Sequence, residues 1–219
     1  MTPQQTASYW PLFGLRLHAL RLVLRPPTDD DFPGLIAAAD ARIHDPETMP
    51  FMTPWTDDAP EVRSRKSAQH WWKPRADWCS ENWHLPLATF LDGQPVGVQS
   101  LWGKGFKVLR EVRTGSWLTR GAQGQGYGRE MRAAVLQLAF EGLGAEVARS
   151  EAFADNASSI GISHALGYRE NGSSRAAPRG NARLVTHFEL TRDRWLTLRD
   201  QFPSAEIAGL EACLHMFGL

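Results

Sequence analysis

Leucines alternate with mostly polar residues near the start of the chain. Leu15, Leu17, Leu20, Leu22 and Leu24 are interleaved with Arg16, His18, Arg21, Val23 and Arg25. The two-residue repeat predicts β-structure, and its change of phase between Leu17 and Leu20 predicts two short strands meeting near Ala19. Pro26 and Pro27 end them. Thr28 followed by Asp29, Asp30 and Asp31 predicts a helix start, a hydroxyl cap and then acids against the helix dipole. Leu35, Ile36 and Ala39 give that helix an apolar face. Pro46, Pro50 and Pro54 then interrupt regular structure, which predicts a long loop over 44–58. A second helix is expected over 60–78, anchored by Val62, Ala68, Trp71 and Trp72. Adjacent tryptophans cannot both face one side of a helix, so one of Trp71 and Trp72 is expected to line a cleft or meet a partner subunit.

The middle of the chain reads as strands. Segments 85–91 and 95–102 flank Asp92-Gly93, a hairpin turn signal, and 112–119 is a further strand. Glycines at 121, 124, 126 and 128 follow. Met131, Ala134, Val135, Leu138 and Ala139 then repeat at helical spacing, with Gly142 and Gly144 able to close the helix. A strand over 145–153 leads to a short helix capped by Asp155 or Asn156 and ended by Gly167. Residues 171–181 (NGSSRAAPRGN) read as a mobile loop and 184–190 as a last strand. The tail from Arg192 reads as helix, Pro203, then a shorter apolar helix. No internal repeat or linker interrupts the chain. It is expected to be one domain over 1–219, with a core at about 12–195 and a C-terminal helical extension at about 196–219.

Strand, glycine-rich loop and helix in succession form an anion site: backbone N–H groups converge without Cβ obstruction and the helix dipole adds positive potential. Three phosphate-loop chemistries compete for Gln123-Gly124-Gln125-Gly126-Tyr127-Gly128. A P-loop needs Gly-Lys-Ser/Thr before its helix, but Arg129-Glu130 stands there and no hydroxyl is placed for Mg²⁺. A dinucleotide loop needs G-x-G-x-x-G, which fails at Arg129 from Gly124 and at Met131 from Gly126. A coenzyme A pyrophosphate loop, Q/R-x-x-G-x-G/A, is satisfied by Gln123, Gly126 and Gly128.

Composition narrows the picture further. Lysine plus arginine and aspartate plus glutamate both number 24, so formal charge is zero and a nonspecific nucleic-acid binder is not expected. Two cysteines, Cys79 and Cys213, make neither a disulfide scaffold nor a Cys-rich zinc site, and no metal is expected. MTPQQTASYW lacks the basic and apolar regions of a signal peptide, and no apolar stretch is long enough to span a bilayer, so a cytoplasmic protein without membrane contact is expected. The outlier is tryptophan, with nine copies. Trp55, Trp71, Trp72, Trp78, Trp83 and Trp102 all fall between the first helix and the central strands.

The segment GSWLTRGAQGQGYGREMRAAVLQLAF resembles the acyl-CoA-binding motif of the GNAT family of N-acyltransferases. DNASSIGISHALGY is similar to the second half of that site in the RimJ/RimL-like branch, N-x-x-S-x(7)-G-F/Y, with Asn156, Ser159, Gly167 and Tyr168 on its positions. LRLVLRPPTDDDFPGL resembles the first strand and helix of that branch. YWPLF, HDPETMPFMTPW, LPLA, VGVQ, GSWL and GYGREMRAAVL are similar to a mycobacterial group of succinyl-CoA transferases. The resemblance covers roughly residues 9–200. It implies an α/β (α+β) GNAT fold: one mixed, mostly antiparallel sheet flanked by helices and splayed at a CoA-binding cleft between 112–119 and 145–153.

The same resemblance implies an acyl-CoA-dependent N-acyltransferase moving an acetyl or succinyl group to a primary amine, on a small molecule or a protein, by direct attack. The alternative is a catalytically silent CoA-binding or protein-interaction module on the same fold. Pantetheine is expected against Trp117, Leu118 and Thr119, and the pyrophosphate against the N–H groups of Gln123, Gly124, Gln125, Gly126, Tyr127, Gly128 and Arg129. A backbone N–H near Leu118 would stabilise the oxyanion, a contribution of about 3–4 kcal/mol. Asn156 is expected to contact CoA or simply cap its helix. Ser159 is the candidate acid for the departing thiolate, or a helix-start serine without chemistry. For the base, the family often carries a glutamate two residues before the glycine of its fourth strand, and here Arg113 stands there. Glu111, Glu151 and His84 remain as candidates, as does a water relay. Arg113, His44 and the backbone of the 49–55 loop are candidates for the distal carboxylate of a succinyl donor, Arg113 alternatively pairing with Glu111 or another acid. Phe51, Met52, Trp55, Trp83 and Trp102 are expected to wall the acyl or acceptor pocket, where aromatic faces suit an apolar or cationic amine. The branch commonly forms homodimers, and one is expected here.

Overall fold

The structure is a computed structural model and describes residues 8–219. Residues 1–7, on which most of the signal-peptide reading rests, lie outside the described residues. The alternating leucines form β1 (Arg16–His18) and β2 (Leu22–Arg25), antiparallel with Leu17 opposite Leu24. Leu17, Leu22 and Leu24 are fully buried, so the alternation marks the inner face. Thr28 and Asp31 form a reciprocal capping box ahead of α1 (Phe32–Asp40), and Asp31 also receives both terminal nitrogens of Arg25 at 2.6 Å. Residues 41–59 follow as the expected loop, before α2 (Pro60–Ala76), whose proline sits at the first helical position where no N–H is required.

β3 (Asn82–Leu91) and β4 (Gln94–Lys104) form a hairpin through Asp92-Gly93, both with positive φ, as a primed two-residue turn requires. β5 (Glu111–Leu118) completes the antiparallel half. The glycine-rich loop enters α3 (Tyr127–Gln137), which runs on as a π turn over Leu138–Gly142. β6 (Val147–Phe153), α4 (Ala157–Ala165), β7 (Arg169–Ala176), β8 (Arg183–Thr191), α5 (Arg192–Leu198) and β9 (Glu206–Ala208) follow. All nine strands form one open mixed sheet in the order β7-β8-β6-β5-β4-β3-β2-β1-β9.

Two expectations are corrected. Residues 171–176 belong to β7, hydrogen-bonded to β8, rather than to a mobile loop. β7 is an edge strand exposed through Arg175, so it has no buried face to impose alternation, and its bulge between Glu170 and Ser173 suits an edge. The C-terminal extension is helical only to Leu198 at first. It then returns as β9, pairing Ile207 with Leu17, and ends in the 3₁₀ turns of Glu211–Phe217. This return carries Cys213 and Phe217 into the core.

The sheet separates two apolar layers. α3, the π turn and the tail cover one face, with Phe140, Phe188 and Trp195 fully buried. α1 and α2 cover the other around Phe32, Leu35, Trp71, Phe90 and Val98. Trp72 is the outward member of its pair, half exposed, with its indole N–H on Asp29 at 3.2 Å.

Candidate active site

β5 and β6 run parallel but pair at only three positions, Glu111↔Val147, Val112↔Ala148 and Arg113↔Arg149. The Thr114 hydroxyl donates to the Arg149 carbonyl at 3.4 Å, and beyond it the strands part. β5 is then bounded by β4 on one edge and by open space on the other. The gap belongs to a cleft of about 2340 Å³. Strand parity splits its walls. Thr114, Ser116 and Leu118 turn toward α3, while Glu111, Arg113 and Trp117 turn toward the 41–59 loop.

At one end of the gap the chain enters α3 through Gly124 and Gly126, whose φ of 74° and 85° suits glycine. The N–H of Gln123 is bonded to Arg120 O at 3.2 Å and that of Arg129 to Gly126 O at 3.1 Å. Among the described residues those of Gly124, Gln125, Gly126, Tyr127 and Gly128 have no acceptor, the last two being helix-start donors. The expected run of seven N–H groups therefore narrows at both ends. The Gln123 side chain ties the loop down, its amide donating to Ile43 O at 2.6 Å and Leu118 O at 2.8 Å. Arg21 braces the loop from the β1–β2 turn, bonding the Glu130 carboxylate and Gln125 O and lying 4.3 Å over the Tyr127 ring. The Tyr127 ring is buried, so its phenol does not face the cleft. Thr119 is similarly engaged, its N–H on Val96 O at 2.8 Å.

The second arm of the gap ends in α4. Asn156 caps it, accepting from Ser159 N at 3.2 Å, and both residues line the cleft. The Ser163 hydroxyl donates to Ser159 O at 3.1 Å, which seats the first turn on the second.

The three expected bases fare differently. Glu111 accepts from Arg149 Nε at 2.7 Å, with Arg113 4.0 Å away, so it is held in an ion pair at the closed end of the gap. His84 stacks on Trp102 at 4.9 Å with His70 beside it, and its Nε2 is buried without a partner. Burial, and secondarily the neighbouring His70, lower its pKa to about 3, so it is a neutral and weakly basic ring. Glu151 sits on the open part of β6, lining the cleft, with His187 Nδ1 at 3.6 Å.

The aromatic wall is built from the loop. Phe51 meets Trp55 at 5.3 Å and Trp55 meets Trp117 at 5.9 Å. Met52 is exposed beside them. Trp102 joins from β4, lying across the space left by Gly115, where a Cβ would approach it to 2.7 Å. Trp83 does not share that face. Adjacent to His84 it turns the opposite way by strand parity and packs in the core on Phe106 and Phe217. Arg113 is largely exposed, while His44 bonds Thr56 Oγ1 at 2.8 Å and thereby organises the loop.

Two features are not anticipated by the sequence. The 41–59 loop is clasped from the far end of the sheet by Arg183 on Met49 O and by Arg179 on Asp57 at 2.6 Å. Arg132 is buried at the floor of the gap, with its guanidinium on Ser163 and Ser116. Its signal was present as helical spacing: Gly128, Arg132 and Val135 place it on the buried stripe of α3.

The acetyltransferase (GNAT) domain family matches residues 21–169, from β2 through the glycine-rich loop to the residues after α4. Several solved structures share the fold. Mycobacterium smegmatis RimJ in complex with CoA-disulfide is 19% identical, covering 91% of this chain and 92% of its own, with a TM-score of 0.67. A GCN5-related N-acetyltransferase from Brucella melitensis is 16% identical, covering 91% and 85%, with a TM-score of 0.68. The RimL ribosomal L7/L12 alpha-N-protein acetyltransferase in complex with coenzyme A is 15% identical, covering 79% and 95%, with a TM-score of 0.61. At these identities the likeness to solved structures is one of fold, while the family match spans most of the chain and both arms of the gap. The chain belongs to the GNAT acetyltransferase family.

Proposed function

We propose that this chain is an acyl-CoA-dependent N-acyltransferase, moving an acetyl or succinyl group from the CoA thioester to a primary amine by direct attack. The observation that carries the reading is a row of N–H donors, Gly124 to Gly128, without an acceptor among the described residues, at the start of α3 and beside the open edge of β5. Such a row suits a pyrophosphate, and an unpaired strand edge suits the amides of pantetheine. RimJ and RimL, whose fold is shared, were solved with CoA-derived ligands, which supports the same co-substrate here.

The amine enters on the aromatic side, along Phe51, Trp55 and Trp102. Of the three carboxylate and imidazole candidates, Glu151 is our choice for the base. Glu111 is engaged by Arg149, and His84 is too weakly basic to hold the proton. Ser159, at the α4 end of the same arm, supplies a proton toward the sulfur, and Arg113 is the exposed cation available to a succinyl carboxylate. In the Glu151→Gln variant kcat/KM falls by about 100-fold, as for loss of a general base, and the acidic limb of the pH–rate profile disappears. An unchanged profile sinks that assignment.

The reading is tested by following free-thiol release with acetyl-CoA and succinyl-CoA separately, across a panel of small amines and peptide N-termini. Amine-dependent release is expected with one donor preferred. CoA binding with no release on any amine would favour the silent module. If Arg113→Ala leaves donor preference unchanged, its carboxylate role is wrong.

A further inference from the structure

Arg132 lies on α3, one turn beyond Gly128, and is 3% exposed. Its guanidinium is permanently charged, yet among the described residues no carboxylate pairs with it. Nη1 donates to Ser163 Oγ at 3.1 Å, Nη2 donates to Ser116 Oγ at 3.3 Å, and Nε is buried with no partner. The titratable group beside it is Tyr168, whose own burial raises its pKa and keeps the phenol neutral. A buried cation held by two hydroxyls and no anion is costly, and such groups are ordinarily paired.

Its location suggests what the missing anion is. Arg132 lines the cleft, and Ser116, which orients it, lies on β5 beyond the last β5–β6 pair. It occupies the α3 side of the gap, whereas Trp117 and the aromatic wall occupy the other. On the reading given under Proposed function, on which this inference rests, the phosphates of acyl-CoA are taken one helical turn upstream. The pantetheine beyond them is neutral. With an acetyl donor, two anions form there in turn: the carbonyl oxyanion, which a backbone N–H takes, and the sulfur, once the C–S bond breaks.

We propose that Arg132 is a catalytic residue, the counter-ion of the departing CoA thiolate. The amine lone pair forms the C–N bond from the aromatic side and the carbonyl π pair moves onto oxygen, returning to re-form C=O as the C–S bond breaks. The C–S electron pair withdraws onto sulfur on the α3 side, against the guanidinium. The surplus ammonium proton leaves to the base on β6 or to water, and protonation of the sulfur follows cleavage rather than accompanying it. The two serine hydroxyls hold the guanidinium in place before reaction, so no reorganisation is needed as the charge develops.

The test is a titration of the CoA thiol in the binary complex, followed by thiolate absorbance, beside turnover of acetyl-CoA and of a carboxylate-tailed donor by wild type, Arg132→Lys and Arg132→Gln. In wild type the bound thiol ionises at lower pH than free CoA, and in Arg132→Gln it ionises about one to two pH units higher than in wild type. In Arg132→Gln kcat falls about 100-fold with both donors, and Arg132→Lys recovers part of the loss. A wild-type bound thiol that titrates like free CoA overturns the proposal, even if the variants fail to fold. A loss confined to the carboxylate-tailed donor also overturns it, giving the anion to the acyl chain. Absence of thiol release by wild type with any amine would instead end the acyltransferase reading, which the thiol titration does not depend on.

Discussion

His84 illustrates how burial changes what a residue can do. Its imidazole is stacked on Trp102, flanked by His70 and stripped of partners at Nε2, and its pKa falls to about 3. In the unfolded chain the same ring titrates near its ordinary value of 6.5. Between those two pH values the unfolded chain binds the extra proton and the folded one does not, so acid favours unfolding. The stability tied to a neutral His84 is fully present above the unfolded value. It is lost as pH falls through 6.5 toward 3, by up to about 5 kcal/mol. His84→Phe keeps the stack and removes the titration. Urea midpoints at neutral and at mildly acidic pH should then differ less in the variant than in wild type, while an equal difference would locate the acid sensitivity elsewhere. Asp31 adds to the same limb in wild type and variant alike. Its hydrogen bonds with Arg25 and Thr28 outweigh burial and hold its carboxyl below the usual range, so its contribution is lost at still lower pH.

At the scale of elements, the glycine-rich entry to α3 is the most consequential. Gly126 has a φ of 85°, and its Cα faces the Arg21 guanidinium, to which an added Cβ would approach within 3.4 Å. Gly126→Ala strains the turn by about 1–2 kcal/mol and displaces the N–H row. Affinity for CoA should fall by tenfold or more in calorimetry, with little change in helix content. Unchanged affinity would mean that the row does not hold the pyrophosphate. Much of this unit was legible in the sequence, because alternation, helical spacing and turn glycines act locally and the protein uses them as written. β1, β2, the Asp92-Gly93 hairpin and the Asn156 cap all rest on such signals. What was not legible depends on distant partners. β7 has no buried face, and β9 is three residues whose only instruction is the free edge of β1. Trp83 and His84 looked equivalent as neighbours, and only the sheet decides which faces the cleft. Arginines are ordinarily solvated, so composition hides Arg132, although its helical phase points inward.

The whole molecule is electrically neutral and among its described residues no helix is long and apolar enough to cross a membrane. Neutrality is compatible with an anionic ligand held by backbone N–H groups and a helix end rather than by a field of lysines. The glycine-rich entry to α3 and the aromatic wall lie on opposite faces of the sheet. The tryptophans divide accordingly: Trp55, Trp102 and Trp117 border the cleft, Trp195 fills the core, and Trp83 reaches the cleft while its side chain packs in the core. The two sides are nevertheless joined. The amide of Gln123 holds the carbonyl of Ile43, where the aromatic loop begins, and that of Leu118, where the donor strand ends. A ligand that shifts one carbonyl therefore shifts the other. Linkage requires that if donor raises affinity for amine by some factor, amine raises affinity for donor by the same factor. In Gln123→Ala both factors should move toward one, as measured by calorimetry of each ligand with and without a non-reactive analogue of the other. Retention of the wild-type factors would place the communication elsewhere. The coupling between the two sides of the cleft thus becomes a property of one side chain that bridges their backbones.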